Sequence, residues 1–397
     1  MTNSLSLPPI GRFRSLRAAY AASIVALAGC ASTATTTTTT PTAAGPTPTP
    51  VSAPVAQRGP ALPDRLSDAD YWTLLSDISE PGGYFRIEDN YTSNEQEIGM
   101  LFTMLRDAGI TGGVYMGVGP EQNLTYIASI RPNMAFVVDI RRQAVMQHLM
   151  FKGIFEMAKD RADFISLLFG KTRPATLDTS TSISAMWTAY RNVPSDSVRS
   201  KATYQRLVDL LTKTHGFTFT PAELGQFKAV YDAFYYYGPS ISTRGFSNGR
   251  GGDFAELTGY SLDAANQPRS FLSTEDNYRY VKSLHDRNLI VPVSGDFAGP
   301  KAIRAIGTYV KEHNAVVRAF YVSNVEQYLF GDMKADAFYA NVATLPIDSM
   351  SVFIRPYSMR RYGMGGPTQS LCPIGPFLRA VEGGRVFDNN LALACVR

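Results

Sequence analysis

Apolar positions along the chain alternate between two rhythms, one of helices and one of short buried strands. Residues 68–76 have helical spacing, Pro81-Gly82-Gly83 interrupts it, and residues 84–95 form a polar, aromatic loop. Helical spacing returns over 95–107, where Ile98, Met100, Leu101, Met104 and Leu105 are apolar. Residues 113–118 follow a strand pattern, and Gly119-Pro120 punctuates it. Proline suits the first turn of a helix, which the spacing predicts over 121–130. Met134-Ala135-Phe136-Val137-Val138 is a continuous apolar run, as expected of a strand buried on both faces. It ends at Asp139. Residues 142–169 are predicted as one long helix, with Met146, Leu149, Met150, Ile154 and Met157 on its core stripe.

Residues 175–237 look mostly helical and lack a convincing strand, and 238–270 read as a long irregular loop rich in Gly, Ser and Asn. Ser273 and Asp276 form a capping-box pattern that opens the next helix. Strand and helix then alternate again. A strand over 289–293 ends in Ser294-Gly295-Asp296, a helix runs from Gly299-Pro300 to His313, and a strand over 315–321 ends at Ser323-Asn324. A late strand is expected near 351–354. Alternating strands and helices predict an α/β, Rossmann-like domain over 66–397. Its sheet is expected to be mostly parallel, with helices on both faces and a large helical insertion at about 171–288.

Composition narrows the setting. Of 397 residues, 45% are hydrophobic and 18% charged, enough apolar material for a sizeable core. The net charge is +4, but Arg12, Arg14 and Arg17 sit in a first stretch of 29 residues that holds no acid. Without it, 35 basic residues face 34 acidic ones. A near-neutral surface gives no case for a nucleic-acid partner. Those arginines, an 11-residue apolar stretch from Ala18 to Ala28, and Leu27-Ala28-Gly29-Cys30 follow in the order of an export signal. The last four residues resemble the bacterial lipobox, which implies a lipidated Cys30 after removal of residues 1–29. Ala31 resembles the outer-membrane sorting signal, placing the domain on the periplasmic face with the lipid as its only membrane contact. Residues 30–65 begin with this cysteine and include six consecutive threonines, Thr35 to Thr40, and repeated Thr-Pro, a spacer composition. Export puts Cys372 and Cys395 in an oxidising compartment, where they form a disulfide or remain two buried thiols. The four histidines are scattered and no metal motif is present, so no metal cofactor is expected.

Candidate chemistry gathers at the strand ends. Gly117-Val118-Gly119 lets a ligand approach the backbone, and the helix after Pro120 offers N–H groups near Glu121 and Asn123. Asp139 lies 20 residues beyond Gly119, at the next strand end, where a carboxylate can accept from the hydroxyls of a ribose. Asp139 could equally pair with Arg141 or Arg142. Asp296 and Asn324 occupy the remaining strand ends, with Lys301 placed to neutralise Asp296. Here the chain resembles the Rossmann-like S-adenosylmethionine-dependent methyltransferases, over residues 110–170 and 288–328. It also resembles a bacterial lipoprotein-type family carrying GVGPEQN, VVDIRRQ and DFAGPKAIR, which are residues 117–123, 137–143 and 296–304.

The resemblance implies S-adenosylmethionine as cofactor, with Gly117 and Gly119 lining it and Asp139 on its ribose. It implies catalytic or substrate-contacting roles for Asp296 and Asn324, and a loop, here 88–95, that closes over the cofactor; the alternative for that loop is an ordinary surface turn. The family pattern is acid-x-Gly-x-Gly-x-Gly, whereas Tyr115 stands at its acid and Glu121 at its third glycine. The Glu121 carboxylate would repel a diphosphate, which disfavours NAD, or else it caps the helix. Export places the domain where S-adenosylmethionine is not expected, so three classes are carried forward. They are a small-molecule-binding methyltransferase-like lipoprotein, a non-catalytic envelope module, and a serine hydrolase. The last would use Ser247 of Gly245-Phe246-Ser247-Asn248-Gly249 with Asp296 and His313, but it lacks the strand-then-helix setting that such a motif needs.

Overall fold

A computed structural model describes residues 60–87, 89–95, 98–246, 252–358 and 367–395. The export signal, Cys30, most of the Thr/Pro tract, Glu88 and Ser247 lie outside these. The described residues all fall within one compact unit.

The elements run α1 (Asp68–Ile78), α2 (Gly99–Asp107), β1 (Val114–Gly117), α3 (Gln122–Ile130), β2 (Met134–Asp139), α4 (Arg142–Met157), α5 (Arg161–Phe169), α6 (Ile183–Arg191), α7 (Ser197–Asp209) and α8 (Pro221–Tyr237). There follow β3 (Ile241–Ser242), β4 (Gly245–Phe246), α9 (Phe254–Gly259), α10 (Glu275–Asp286), β5 (Ile290–Ser294), α11 (Ala302–Glu312), β6 (Val317–Tyr321), α12 (Val325–Gly331), α13 (Ala335–Val342), β7 (Val352–Ser358), β8 (Pro367–Pro373), α14 (Ile374–Glu382) and α15 (Asn389–Leu393).

Six strands form one sheet in the order β5-β2-β1-β6-β7-β8. Every neighbouring pair is parallel except β7 with β8. Counted along the chain, the order is 3-2-1-4-5-6, the doubly wound Rossmann arrangement. The fold is therefore the expected α/β one, with helices on both faces. Residues of β1 and β2 are buried without alternation, as strands covered on both sides must be. The helical insertion is the crossover from β2 to β5 and carries α4 through α10.

Three local expectations need correction. The long helix over 142–169 breaks into α4 and α5. Asp160 adopts an extended backbone and its side chain accepts from the Asp163 N–H, starting a new helix rather than continuing the old one. The cap of α10 is Thr274, whose hydroxyl accepts from the Asn277 N–H, whereas Ser273 donates to the Ser270 carbonyl. The irregular loop over 238–270 contains the β3–β4 hairpin and α9. The pattern also missed β8, an edge strand bounded by prolines. Cys372 on β8 is joined to Cys395 by a disulfide, Cα to Cα 5.6 Å, which ties the C-terminal segment to the sheet.

A buried ion pair locks the β6–β7 side. Arg355 on β7 donates from Nε and Nη2 to Glu326 on α12, each at 2.7 Å. The Tyr339 hydroxyl on α13 donates to the same carboxylate at 2.7 Å. The guanidinium lies over the rings of both Phe353 and Phe377, 4.2 and 3.9 Å from their centroids. Both charged groups are fully buried, so neither can lose its partner to water. Glu326→Ala is expected to cost about 3–5 kcal/mol by leaving Arg355 unpaired. The double variant Glu326→Leu with Arg355→Met should lose less than either single change. Urea unfolding of Glu326→Ala, the double variant and its two single changes checks this.

Candidate functional site

The carboxyl ends of the parallel strands open into a cleft of about 230 Å³. That lies just below the roughly 300–1,000 Å³ usual for small-molecule sites. Gly119 after β1, Asp139 at the end of β2, Asp296 after β5 and Asn324 after β6 all line it. Gly117, Glu121 and Asn123 do not, and the reason in each case is burial.

Asn123 is fully buried at the start of α3 and holds the turn before it. Its amide donates to the carbonyls of Val118, Gly119 and Pro120 at 3.0, 3.1 and 2.7 Å, and its Oδ1 accepts from the Tyr115 hydroxyl at 3.0 Å. A side chain at Gly117 would run into this knot, because a Cβ there would lie 2.0 Å from Asn123 Oδ1. Gly119 turns the chain at φ +80°, a conformation that favours glycine. The buried His148 fixes it further, with Nε2 2.9 Å from the Gly119 carbonyl. Glu121 neither reaches the cleft nor caps α3. Both its carboxylate oxygens accept from the Ser93 N–H, at 3.1 and 3.2 Å.

Asp139 makes the pairing expected as one of its two readings. Oδ1 accepts from the Arg141 N–H and Nε–H at 2.9 and 3.0 Å, and Oδ2 accepts from Nη2–H at 2.8 Å. Acid and base both line the cleft. The cation nearest Asp296 is Lys334, at 3.4 Å. Lys301, expected in that place, donates instead to the Ser79 carbonyl at 2.9 Å. Glu80 fills the start of α11: Oε1 accepts from the N–H groups of Lys301 and Ala302, both at 2.9 Å, and Oε2 from that of Asp296 at 3.1 Å.

The loop before β1 lines the cleft through Asn90, Ser93 and Asn94. The helical insertion supports it. At the β3–β4 turn, the Thr243 carbonyl accepts from the Tyr91 N–H at 3.2 Å, and Thr243 Oγ1 donates to the Thr92 carbonyl at 3.0 Å. Phe85 meets the Tyr328 ring edge-on at 4.9 Å, and Arg86 lies 4.7 Å from the same ring, forming an aromatic flank. Sequence reasoning passed over Ser323, Thr243 and Tyr328. The aromatic pair Tyr84-Phe85 after two glycines was the one available signal. Of the proposed hydrolase set, Ser247 lies outside the described residues. His313 follows the C-terminal end of α11, about 16 Å along the helix from the end near Asp296, with Nδ1 2.8 Å from the Tyr309 carbonyl. Among the described residues, no group of three or more His, Cys, Asp or Glu could hold a metal ion, and no helix is long and apolar enough to cross a membrane.

Two buried carboxyls each hold a residue of the cleft lining, Glu121 on Ser93 and Glu95 on Ser323. Burial pushes Glu121 up to about 8, with the Ser93 N–H pulling it partly back. Burial pushes Glu95 up to about 7, opposed by the Ser323, Tyr321 and Gln369 side chains. In the unfolded chain both ionise near 4.5. Between that value and the raised one the folded state binds the extra proton, so stability is full below about 4.5 and falls as pH rises. Glu121→Gln should therefore gain on the wild type as pH increases. Each tenfold difference in proton affinity between folded and unfolded chain is worth about 1.4 kcal/mol, so the gain should exceed about 1 kcal/mol at pH 8.5 and vanish near pH 4. Chemical denaturation of both proteins at the two pH values measures it.

A family model described as Domain of unknown function (DUF7790) matches residues 91–210 and 256–373, while no curated protein matches the chain. The matched stretches contain β1, β2, β5, β6, β7 and β8, and with them Gly119, Asp139, Asp296 and Asn324. With more than half of its length matched, the chain belongs to the DUF7790 family.

Proposed function

We propose that the strand-end cleft binds a small molecule of the nucleoside type, in a methyltransferase-like domain held at the bacterial cell envelope by a lipid on Cys30. The observation that carries this reading is the convergence of Gly119, Asp139, Asp296 and Asn324, from four parallel strand ends, on one cleft. Open α/β sheets bind ligands at that edge. The flank of Phe85 and Tyr328 suits a flat ring. Arg141 takes three of the roughly four acceptor sites of the Asp139 carboxylate, leaving room for one ligand hydroxyl. The N-terminal signal pattern supports export, and export favours a ligand other than S-adenosylmethionine itself; no nucleic-acid partner is invoked.

A second reading is a non-catalytic envelope module. It is favoured by the way Arg141 and Glu80 already satisfy the two polar corners of the cleft from within the chain.

Thermal unfolding of the full chain with adenosine, S-adenosylhomocysteine and S-adenosylmethionine separates the two. A ligand at a hundredfold excess over its Kd should stabilise the wild type by about 2.7 kcal/mol, and Asp139→Asn should lose that gain relative to its own baseline. If none of the three moves the wild type, the module reading stands. The anchor has its own test. Palmitate fed to expressing cells should label the wild-type chain and leave Cys30→Ala unlabelled; an unlabelled wild type removes the lipoprotein.

A further inference from the structure

Ser323 stands between β6 and α12 with φ +46°, a left-handed backbone conformation that a serine adopts only under strain. A strained serine on a strand-to-helix turn is the arrangement that lifts a nucleophile above the edge of a sheet. The motif that usually announces it is missing, since Tyr321 and Val325 occupy the positions of its glycines. The segment with the motif, around Ser247, lies outside the described residues; Ser323 has the strand and helix without the letters.

Two further observations bear on this serine. It lines the cleft, beside Asn324 and Tyr328. Its hydroxyl donates to Glu95 Oε1 at 2.6 Å. Glu95 is buried, Gln369 on β8 donates to its other oxygen, and the Tyr321 hydroxyl faces it as well. Glu95, Ser323 and Gln369 all fall within the matched family stretches.

We propose that Ser323 is an acyl-accepting nucleophile, that Glu95 is the base that takes its proton, and that the substrate is a carboxylic ester or thioester. The proposal rests on the cleft being a ligand site, and it adds chemistry to that reading. Ser323 Oγ attacks the carbonyl carbon and forms the Oγ–C bond as its proton passes to Glu95. The carbon–leaving-group bond then breaks, the electron pair goes to the alcohol or thiol, and that group takes the proton back from Glu95. Water repeats the sequence on the acyl-serine, with Glu95 again as base, so that ester and water give acid and alcohol. The backbone N–H of the residue after the serine, here Asn324, is the donor that such turns offer to the oxyanion.

The surroundings of Glu95 suit a base. Tyr115 on β1, Tyr126 on α3 and Tyr321 on β6 face it, and burial holds all three hydroxyls neutral, well above the usual tyrosine range. Glu256 lines the groove on its other side. Glu95 itself, raised to about 7, is mostly ionised at pH 8.

Incubation of the full-length chain with an alkyl fluorophosphonate, followed by peptide mass mapping, tests the assignment. The expected result is one adduct, on Ser323, forming about tenfold faster at pH 8 than at pH 6 as Glu95 ionises. Ser323→Gly should keep the fold, because glycine accepts the positive φ, and should give no adduct. Glu95→Gln should slow labelling at least about a hundredfold and abolish the rise through pH 7. Hydrolysis of p-nitrophenyl acetate should follow the same order. A folded wild type unlabelled on Ser323, or labelling unchanged in Glu95→Gln, overturns the proposal. If labelling fails while a nucleoside still raises the melting temperature, the nucleophile falls and the ligand site stands. If Ser323 is labelled and no nucleoside binds, the ligand class falls instead.

Discussion

A polar group sealed away from water must find a partner inside the protein, and this requirement shapes the edge of the sheet where the cleft lies. The connections leaving that edge are each held by a polar side chain at least partly withdrawn from solvent. Asn123 holds three carbonyls after β1, and the Asp139 carboxylate holds the backbone and guanidinium of Arg141 after β2. Glu80 holds three N–H groups after β5, and Glu95 holds Ser323 after β6. Each clamp would be worth little in water. In a dry interior it fixes a turn in one conformation, because every alternative leaves a donor or acceptor unmatched. The cleft is thus rigid where its floor is made, and its glycines and strained residues are held by partners rather than by local preference.

The clamps after β1 and β2 consume the groups that a family pattern would assign to a ligand. Asn123 turns inward because three carbonyls converge on it. Glu121 turns inward toward Ser93. Asp139 keeps its place on the cleft but meets it as half of an ion pair. The polar face offered to a ligand is therefore smaller than the motif suggests, and more of the contact falls to aromatic side chains and to the residues after β6.

Much of the fold was legible because its strands are short and apolar on both faces. Runs such as Met134 to Val138 announce themselves without tertiary information. Where the structure departs from the pattern, a single polar side chain decides, as Asp160 does in splitting a helix whose apolar stripe continues on either side. The candidate site was legible to the same depth. Gly119, Asp139, Asp296 and Asn324 could be placed because parallel strands end at a common edge. Glu80, Glu95 and Thr243 could not. Their roles depend on contacts across 216, 228 and 151 residues of chain, and no local spacing encodes them. Ser323 was hidden for a different reason, since its signal is a backbone angle rather than a residue type.

One wall of the cleft comes from a part of the chain that the family model does not match. The floor, from Gly119 to Asn324, lies within the stretches the family model matches. The wall at Thr243 lies in the interval between them, on a two-residue-stranded hairpin that projects from the helical crossover. That hairpin reaches the loop at Tyr91 and Thr92, next to Asn90, Ser93 and Asn94 in the cleft lining. The crossover thus meets the loop through two contacts, one backbone to backbone and one from the Thr243 side chain, while Glu121 on Ser93 and Glu95 on Ser323 tie the same loop to the turns after β1 and β6. A loop bound from both sides in this way couples what enters the cleft to the groups at the strand ends, because moving either would leave a buried donor or acceptor unmatched.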